Sequence, residues 1–452
     1  MIETTHLFIL AVLVFVFGLA SRLLSRSIIT GPLAFVGFGL LLAPGVCESI
    51  GLGTIFGKLE NLDSTIHLIG EITLVVVLFT DAAQIQLGAL IRGAAIPFRL
   101  LGIGMPLTII VGAGTAYFFF DDLGIWELAL VAVMLAPTDA ALGQAVVTNT
   151  HVPLRVRQGL SVESGLNDGI AVPLVIIFAS LASIGHEMQG AGETVMTTVE
   201  CATFAAKQLV LGPLAGIGIG GIGAWLMTRA IRQGWMEHSY RELAGITLAI
   251  IAYVGASQIG GNGFIGAFVA GLVVGNSSKE VKECLFDFAE AESQLLMLTT
   301  FFLVGLALVW KPLQTASWQV WAYAALSLTV VRIVPVAVSM IGLGLRPSTI
   351  GFLGWFGPRG LASVLFAVLV IDELPVPHSE AIVQVVMITV ILSVLLHGVT
   401  AAPLSNWFAR ALKQDANDVG YEFGQCPRDV ICKKSLMNPV ETNTDHIPES
   451  GI

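Results

Sequence analysis

The chain has 452 residues, 55% of them hydrophobic and 12% charged, with a net charge of −10, whereas soluble domains carry about 45–50% apolar and about 25% charged residues. With a mean hydropathy of +0.84, this excludes an ordinary soluble enzyme or binding module and indicates an all-α, polytopic membrane protein. No basic patch suggests a nucleic acid partner, and the five cysteines show no C-x-x-C spacing that would point to a function.

A transmembrane helix needs about 20 mostly apolar residues. Thirteen segments meet that measure: 6–24, 28–44, 64–85, 98–120, 126–148, 157–184, 200–229, 241–258, 262–276, 288–309, 317–343, 349–371 and 380–409. The first has no basic leader before it and no small-residue cleavage pattern after it, so it reads as a retained span. The ninth, GNGFIGAFVAGLVVG, is short enough to be re-entrant, and loop charge decides the matter. If all thirteen cross, one side collects fourteen Lys and Arg residues, from Arg22 to Lys413, and the other only Lys58 and Lys311. The positive-inside rule then puts the N-terminus outside and residues 410–452 in the cytoplasm. From about Lys413 this tail is polar without sustained helical period and reads as a loosely held extension. Its Cys426, Cys432 and His446 match no zinc spacing.

Ionisable side chains inside spans cost at least about 2.5–3.5 kcal/mol each and mark function by default. Here they are Glu71 and Asp81 (third span), Asp139 (fifth), Glu163 and Asp168 (sixth), Lys207 (seventh), Arg332 (eleventh) and Arg359 (twelfth). The acids crowd three early spans and the arginines lie far along the chain, so the fold must bring distant halves together. Two spans are also broken, the fifth at Pro137 and the twelfth at Gly357-Pro358, where backbone hydrogen bonds are lost. Irregular backbone at membrane depth survives only inside protein or beside a wet cavity. The breaks are seven spans apart, so an inverted repeat of spans one to six as eight to thirteen makes them coincide as two unwound, crossing helices.

On the sixth span, Ser164 and Asp168 share a face, and Glu163 and Asn167 form the neighbouring pair. With Thr138 and Asp139 they supply hydroxyl, carboxylate and carbonyl oxygens, the ligands hard cations prefer. Burial favours a carboxyl group's proton and a bound cation favours its charge, so one group can hold either. That competition is the outline of an exchanger. A bland reading fixes Asp168 in a hydrogen bond to Asn167 or Arg359. Another class, an intramembrane aspartyl hydrolase, would use Asp139 and Asp168 as a dyad, but its Tyr-Asp and Gly-x-Gly-Asp signatures are absent. A channel would need a repeated filter. Lys207 reads as a snorkelling side chain, His67 and His397 as packing residues rather than pH sensors, and Glu290 and Glu292 as an access funnel or a favourable helix start.

The segments ESGLNDG (Glu163 to Gly169) and APTDAA (Ala136 to Ala141), the arginine of VVRIVPV (Arg332) and GPRG (Gly357 to Gly360) resemble the NhaP-type sodium/proton antiporters of the monovalent cation:proton antiporter-1 family over residues 6–409. The resemblance implies exchange of Na+, with K+ or Li+ as alternatives, for H+, without enzyme activity or cofactor, by a homodimer in the cell membrane. It implies a core bundle over about 98–184 and 317–409, an interface domain over about 6–85 and 241–309, and a linker helix over about 200–229. Carried over, Asp168 binds proton or cation, Ser164, Thr138 and Asp139 complete the ion site, Glu163 pairs with Arg332, and Arg359 offsets acids or helix ends. The dipeptide Asn167-Asp168 resembles the electroneutral branch, whose electrogenic relatives have Asp-Asp there and lysine in place of Arg332. Two features depart from the family pattern. Thr-Asp is followed by Ala140 rather than proline, and the acid of the third span, Asp81, comes one residue late after Leu78-Phe79.

Overall fold

A computed structural model describes residues 4–24, 30–49, 62–84, 95–139, 142–143, 146, 152–187, 198–372 and 376–419. Its regular elements are helices, and each predicted span has a helix, whole or interrupted, on it. In chain order they are α1 (Thr4–Leu24), α2 (Gly31–Leu41), α3 (Pro44–Ser49), α4 (Leu62–Gln84), α5 (Ala95–Tyr117), α6 (Ile125–Met134), α7 (Leu154–Glu187), α8 (Thr198–Arg232) and α9 (His238–Gln258). Then follow α10 (Gly263–Gly275), α11 (Lys279–Ala307), α12 (Trp310–Thr315), α13 (Trp318–Leu328), α14 (Val330–Ser339), α15 (Pro347–Trp355), α16 (Leu361–Asp372) and α17 (Ser379–Val419). Five of the described helical stretches are long and apolar enough to cross a membrane by length and composition.

Local chemistry sets the boundaries. α10 starts where the Asn262 side chain accepts a hydrogen bond from the Ile265 amide at 2.9 Å, and α11 where the Ser278 hydroxyl accepts one from Val281, both N-caps of the usual kind. Pro137 ends α6 at Met134, because the residue before proline is pushed out of helical geometry and proline has no amide to donate.

Four boundaries differ from the sequence expectation, and one is the tenth span, whose helix begins nine residues early, at Lys279. The eleventh span is interrupted at Thr329, whose ψ of −90° separates α13 from α14; Pro335 removes a bond in the next turn, and the Thr329 hydroxyl satisfies the Ala325 carbonyl at 2.7 Å. The second span ends at Leu41, with α3 following as a separate turn. The last helix runs past the expected edge at 409 to Val419, since Ala411, Leu412, Lys413 and Gln414 are all good helix formers. The remainder of the tail, with Cys426, Cys432 and His446, lies outside the described residues.

Packing is closest where small residues let backbones meet, the rule for helices in lipid. Gly39 of α2 faces the backbone of Phe302 and Leu306 on α11, and Gly305 of α11 faces Val36 and Leu40 in return. Gly271 and Gly275 of α10 lie against the carbonyls of Phe79 and Ala83 on α4. α10 also packs on α8 and α9, α6 on α5 and α7, and α17 on α13 and α16. The uncoiled stretches 135–139 and 356–360 meet among these helices, and α4 and α7 reach both α10 and α16.

Candidate functional site

At the meeting point the two uncoiled stretches hydrogen-bond to each other. The amide of Asp139 donates to the Pro358 carbonyl at 2.8 Å. The Asp139 carboxylate accepts from the Leu361 amide at 2.7 Å and from the Leu142 amide at 3.4 Å, so it caps the N-terminus of α16, where a negative charge is favoured. Arg359 reciprocates at the other helix end: its Nη1 donates to the carbonyls of Ala136 at 2.7 Å and Pro137 at 3.1 Å, just past the C-terminus of α6. The Ser363 hydroxyl donates to the Met134 carbonyl. Orphan groups at both interrupted ends are thereby satisfied by charged side chains of the opposite stretch. The glycines of GPRG are dictated by this crowding, since a Cβ on Gly360 would overlap the Asp139 carboxylate and one on Gly357 the Arg332 guanidinium.

The middle of α7 supplies the other polar groups. Glu163 and Arg332, each 2% exposed, form an ion pair at 2.6 Å that ties α7 to α14. Thr138 Oγ1 accepts from Asn167 Nδ2 at 2.7 Å and shares a hydrogen bond with Ser164 Oγ at 3.0 Å. Thr138, Ser164, Asn167 and Asp168 are all buried, and one carboxylate oxygen of Asp168, Oδ1, has no hydrogen-bond partner. Asn167 Nδ2 is engaged with Thr138 and Arg359 Nη1 with the α6 end, while Asn167 Oδ1 and Arg359 Nε and Nη2 have no hydrogen-bond partner. Asp139 and Asp81 both lie within electrostatic reach of Asp168, and Asp139 within reach of Asp81. Asp81 is half-buried on α4.

Some sequence candidates lie elsewhere. Lys207 is exposed on α8. The side chains of His67, Glu290 and Glu292 lie outside the described residues. His397 is buried: Nε2 lies 2.9 Å from the Trp355 carbonyl oxygen, and Nδ1 lies 3.0 Å from the Ser393 carbonyl oxygen and 3.2 Å from Ser393 Oγ, which accepts from the Arg359 amide at 2.7 Å. Ser393 was not a sequence candidate. Its spacing of four from His397, on one face of an otherwise apolar helix, is the signal that would have found the pair.

Two interrupted helices bonded end to end beside a buried acid place the molecule among membrane carriers built on broken helices. More narrowly, the chain belongs to the sodium/hydrogen exchanger family, whose model, "Sodium/hydrogen exchanger, transmembrane", matches residues 9–407. It is 25% identical over 409 residues to the K(+)/H(+) antiporter NhaP of Alkalimonas amylolytica, covering 90% of this chain and 67% of that one. It is 25% identical over 358 residues to the K(+)/H(+) antiporter NhaP2 of Shewanella oneidensis, where it spans 76% of this chain and only 58% of the relative. The Na(+)/H(+) antiporter NhaP of Pseudomonas aeruginosa is 27% identical over 355 residues, with 72% and 78% covered. In fold, the chain is similar to the sodium proton antiporter MjNhaP1 of Methanocaldococcus jannaschii, with a TM-score of 0.71 at 17% identity over 89% of this chain and 98% of that one.

Proposed function

We propose that this protein exchanges a monovalent cation for H+, one for one, by alternating access, with Asp168 holding either ion but not both. The observation that carries the reading is the buried carboxylate of Asp168, whose Oδ1 is unpartnered; Glu163 also has an unpartnered oxygen, Oε2, but its other oxygen is held in the ion pair with Arg332. Ser164 and Thr138 complete the ion's oxygen shell. Asp139, whose oxygens meet backbone amides, adds charge and holds the break open, and Asp81 contributes from α4. Glu163 with Arg332, Asn167 and Arg359 keep the shell in shape. Na+ is the first cation on this reading. K+ is the second, favoured by the K(+)/H(+) antiporters among the relatives.

The same proposal divides the chain into a core bundle (98–184 and 317–409), an interface domain (6–85 and 241–309) and a linker (200–229). It makes the molecule a homodimer of the cell membrane, N-terminus outside and tail cytoplasmic. An inverted repeat is supported by a pairing in the packing. Shifting each span by seven converts the contact of α2 with α11, spans two and ten, into that of α10 with α4, spans nine and three, and both contacts are close and glycine-mediated. During exchange the crossing would move as a unit, because its two uncoiled stretches are bonded to each other.

The test is a pH gradient across sealed vesicles containing the purified protein, with Na+, K+ and Li+ added separately. Dissipation by one or more cations is expected, and failure by all three contradicts the reading. With voltage clamped, a steady state that follows membrane potential would reject one-for-one exchange.

A further inference from the structure

Two ionisable side chains away from the crossing meet across 251 positions of the chain. Glu127 stands in the first turn of α6, its side chain 6% exposed, and its Oε2 accepts a hydrogen bond from the Gly124 amide at 2.7 Å. His378 precedes α17, its carbonyl accepting from the amides of Ala381 and Ile382, and its Nδ1 lies 3.1 and 3.3 Å from the two Glu127 carboxylate oxygens. The imidazole is 47% exposed, so it exchanges protons with solution while its partner is shut away from water. Among the described non-glycine residues His378 alone has a positive φ, of 50°, a left-handed conformation that side chains other than glycine adopt at a cost. A glutamine would cap Gly124 as well as a glutamate does, so the cap alone does not account for a buried carboxylate beside a histidine.

The two helices joined here are joined again at the crossing. Arg359 donates from Nη1 to the carbonyls that follow α6 and from its amide to Ser393 on α17. α6 is thus tied to α17 at both ends, through Glu127 and His378 at its start and through Arg359 at its finish. From Glu127 to Met134 is about 10 Å of helix, and Thr138 and Asp139 follow directly after Pro137, so a shift at the start of α6 reaches the ion site through a short rod. Histidine changes charge between pH 5 and 8. Protonation of His378 adds the attraction of opposite charges to the hydrogen bond, beside a buried carboxylate that salt screens little. The other ionisable groups described at this end are Tyr117 of α5, Asp121 and Asp122 in the turn before α6 and Glu48 of α3, all exposed, and Lys311 of α12, which pairs with Glu380 of α17 at 3.3 Å. α13 presents none here, and the side chains of His186, Glu187, Asp372 and Glu373 lie outside the described residues. We propose that Glu127 and His378 are positioning residues that act on the crossing through α6, a latch drawn tight by a proton from the membrane face where α6 begins. Its effect on exchange rests on the antiport reading; the latch itself does not.

Two measurements test it. His378→Asn keeps a residue that tolerates the left-handed backbone, Glu127→Gln keeps the cap, and each removes one charge of the pair. At about pH 5.5 the thermal midpoint of the purified protein should fall by similar amounts in the two single variants and no further in Glu127→Gln/His378→Asn, and at about pH 8.5 these losses should shrink. Losses that add in the double variant, or that are equal at the two pH values, overturn the latch. In vesicles of one fixed orientation, with the opposite face held near neutral pH, His378→Asn should raise the cation concentration for half-maximal exchange several-fold when the face where α6 begins is at about pH 5.5, and by less than about twofold at about pH 8.5. A change of the same size at both pH values, or one that follows the pH of the opposite face, would mean a packing role and overturns the proposal. If the unaltered protein exchanges nothing, the antiport reading fails while the midpoints still decide the latch.

Discussion

Glu163 and Arg332 are 169 positions apart in the chain and 2.6 Å apart in the fold, each 2% exposed. Removing one partner leaves the other charge buried and alone, which costs about 3–5 kcal/mol, whereas replacing both with apolar residues of similar size is often close to neutral. Glu163→Gln and Arg332→Gln should each lower the thermal midpoint of the purified protein sharply, and Glu163→Leu/Arg332→Met should recover much of the loss. A double variant no better than the singles would show that the pair does more than neutralise itself.

Asp139 caps the start of α16, so Asp139→Ala should cost about 0.5–2 kcal/mol of stability, the usual worth of an N-cap. Asp139→Asn keeps an acceptor and should fold better than alanine while exchanging more slowly than the unaltered protein, as it lacks the charge. Thermal midpoints and initial rates on the same preparations separate the two effects.

Gly360→Ala and Gly357→Ala place a methyl group into the Asp139 carboxylate and the Arg332 guanidinium. Each is expected to reduce folded yield and midpoint, at an overpacking cost of about 1–3 kcal/mol. Gly351→Ala, with nothing near its added carbon, is the control and should leave both intact.

The breaks and the spans were legible because their causes are local: Pro137 and Gly357-Pro358 forbid continuous helix, and apolar length reports the bilayer. The acids Glu71, Asp81, Asp139, Glu163 and Asp168 announced themselves by lying inside apolar spans at all. Pairing Glu163 with Arg332 needed the family resemblance, because charge imbalance says only that distant partners exist. What stayed hidden depends on three-dimensional proximity with no local trace. Asp139 reads as an ion ligand in sequence and meets backbone amides in the fold. Tyr253 reaches Glu71 across 182 positions, and His378 meets Glu127 at 3.1 Å across 251. The interruption at Thr329 falls six residues before Pro335, too early for a proline rule to place.

Thr138 gathers Ser164 and Asn167 through its hydroxyl. Thr138→Ala and Ser164→Ala should raise the cation concentration for half-maximal exchange about two- to tenfold, the equivalent of one hydrogen bond of about 0.5–1.5 kcal/mol. Thr138→Ser should restore it, which initial-rate titrations with Na+ and K+ would show.

His397 supports the Trp355 carbonyl and, through Ser393, the Arg359 amide. As a packing residue, its loss in His397→Ala should lower stability by about 1–3 kcal/mol, the cost of buried groups left unbonded. The pH at which exchange is half-maximal should stay where it is. A shifted pH profile at unchanged stability would make it a sensor instead.

The most direct measurement is cation-driven dissipation of a pH gradient by Asp168→Asn in sealed vesicles, beside the unaltered protein at equal density and with matched thermal midpoints. A neutral amide can neither release a proton nor hold a cation by charge, so exchange should vanish for Na+, K+ and Li+ alike while the protein stays folded. Full exchange by the folded variant would contradict the assignment of both ions to this one carboxylate.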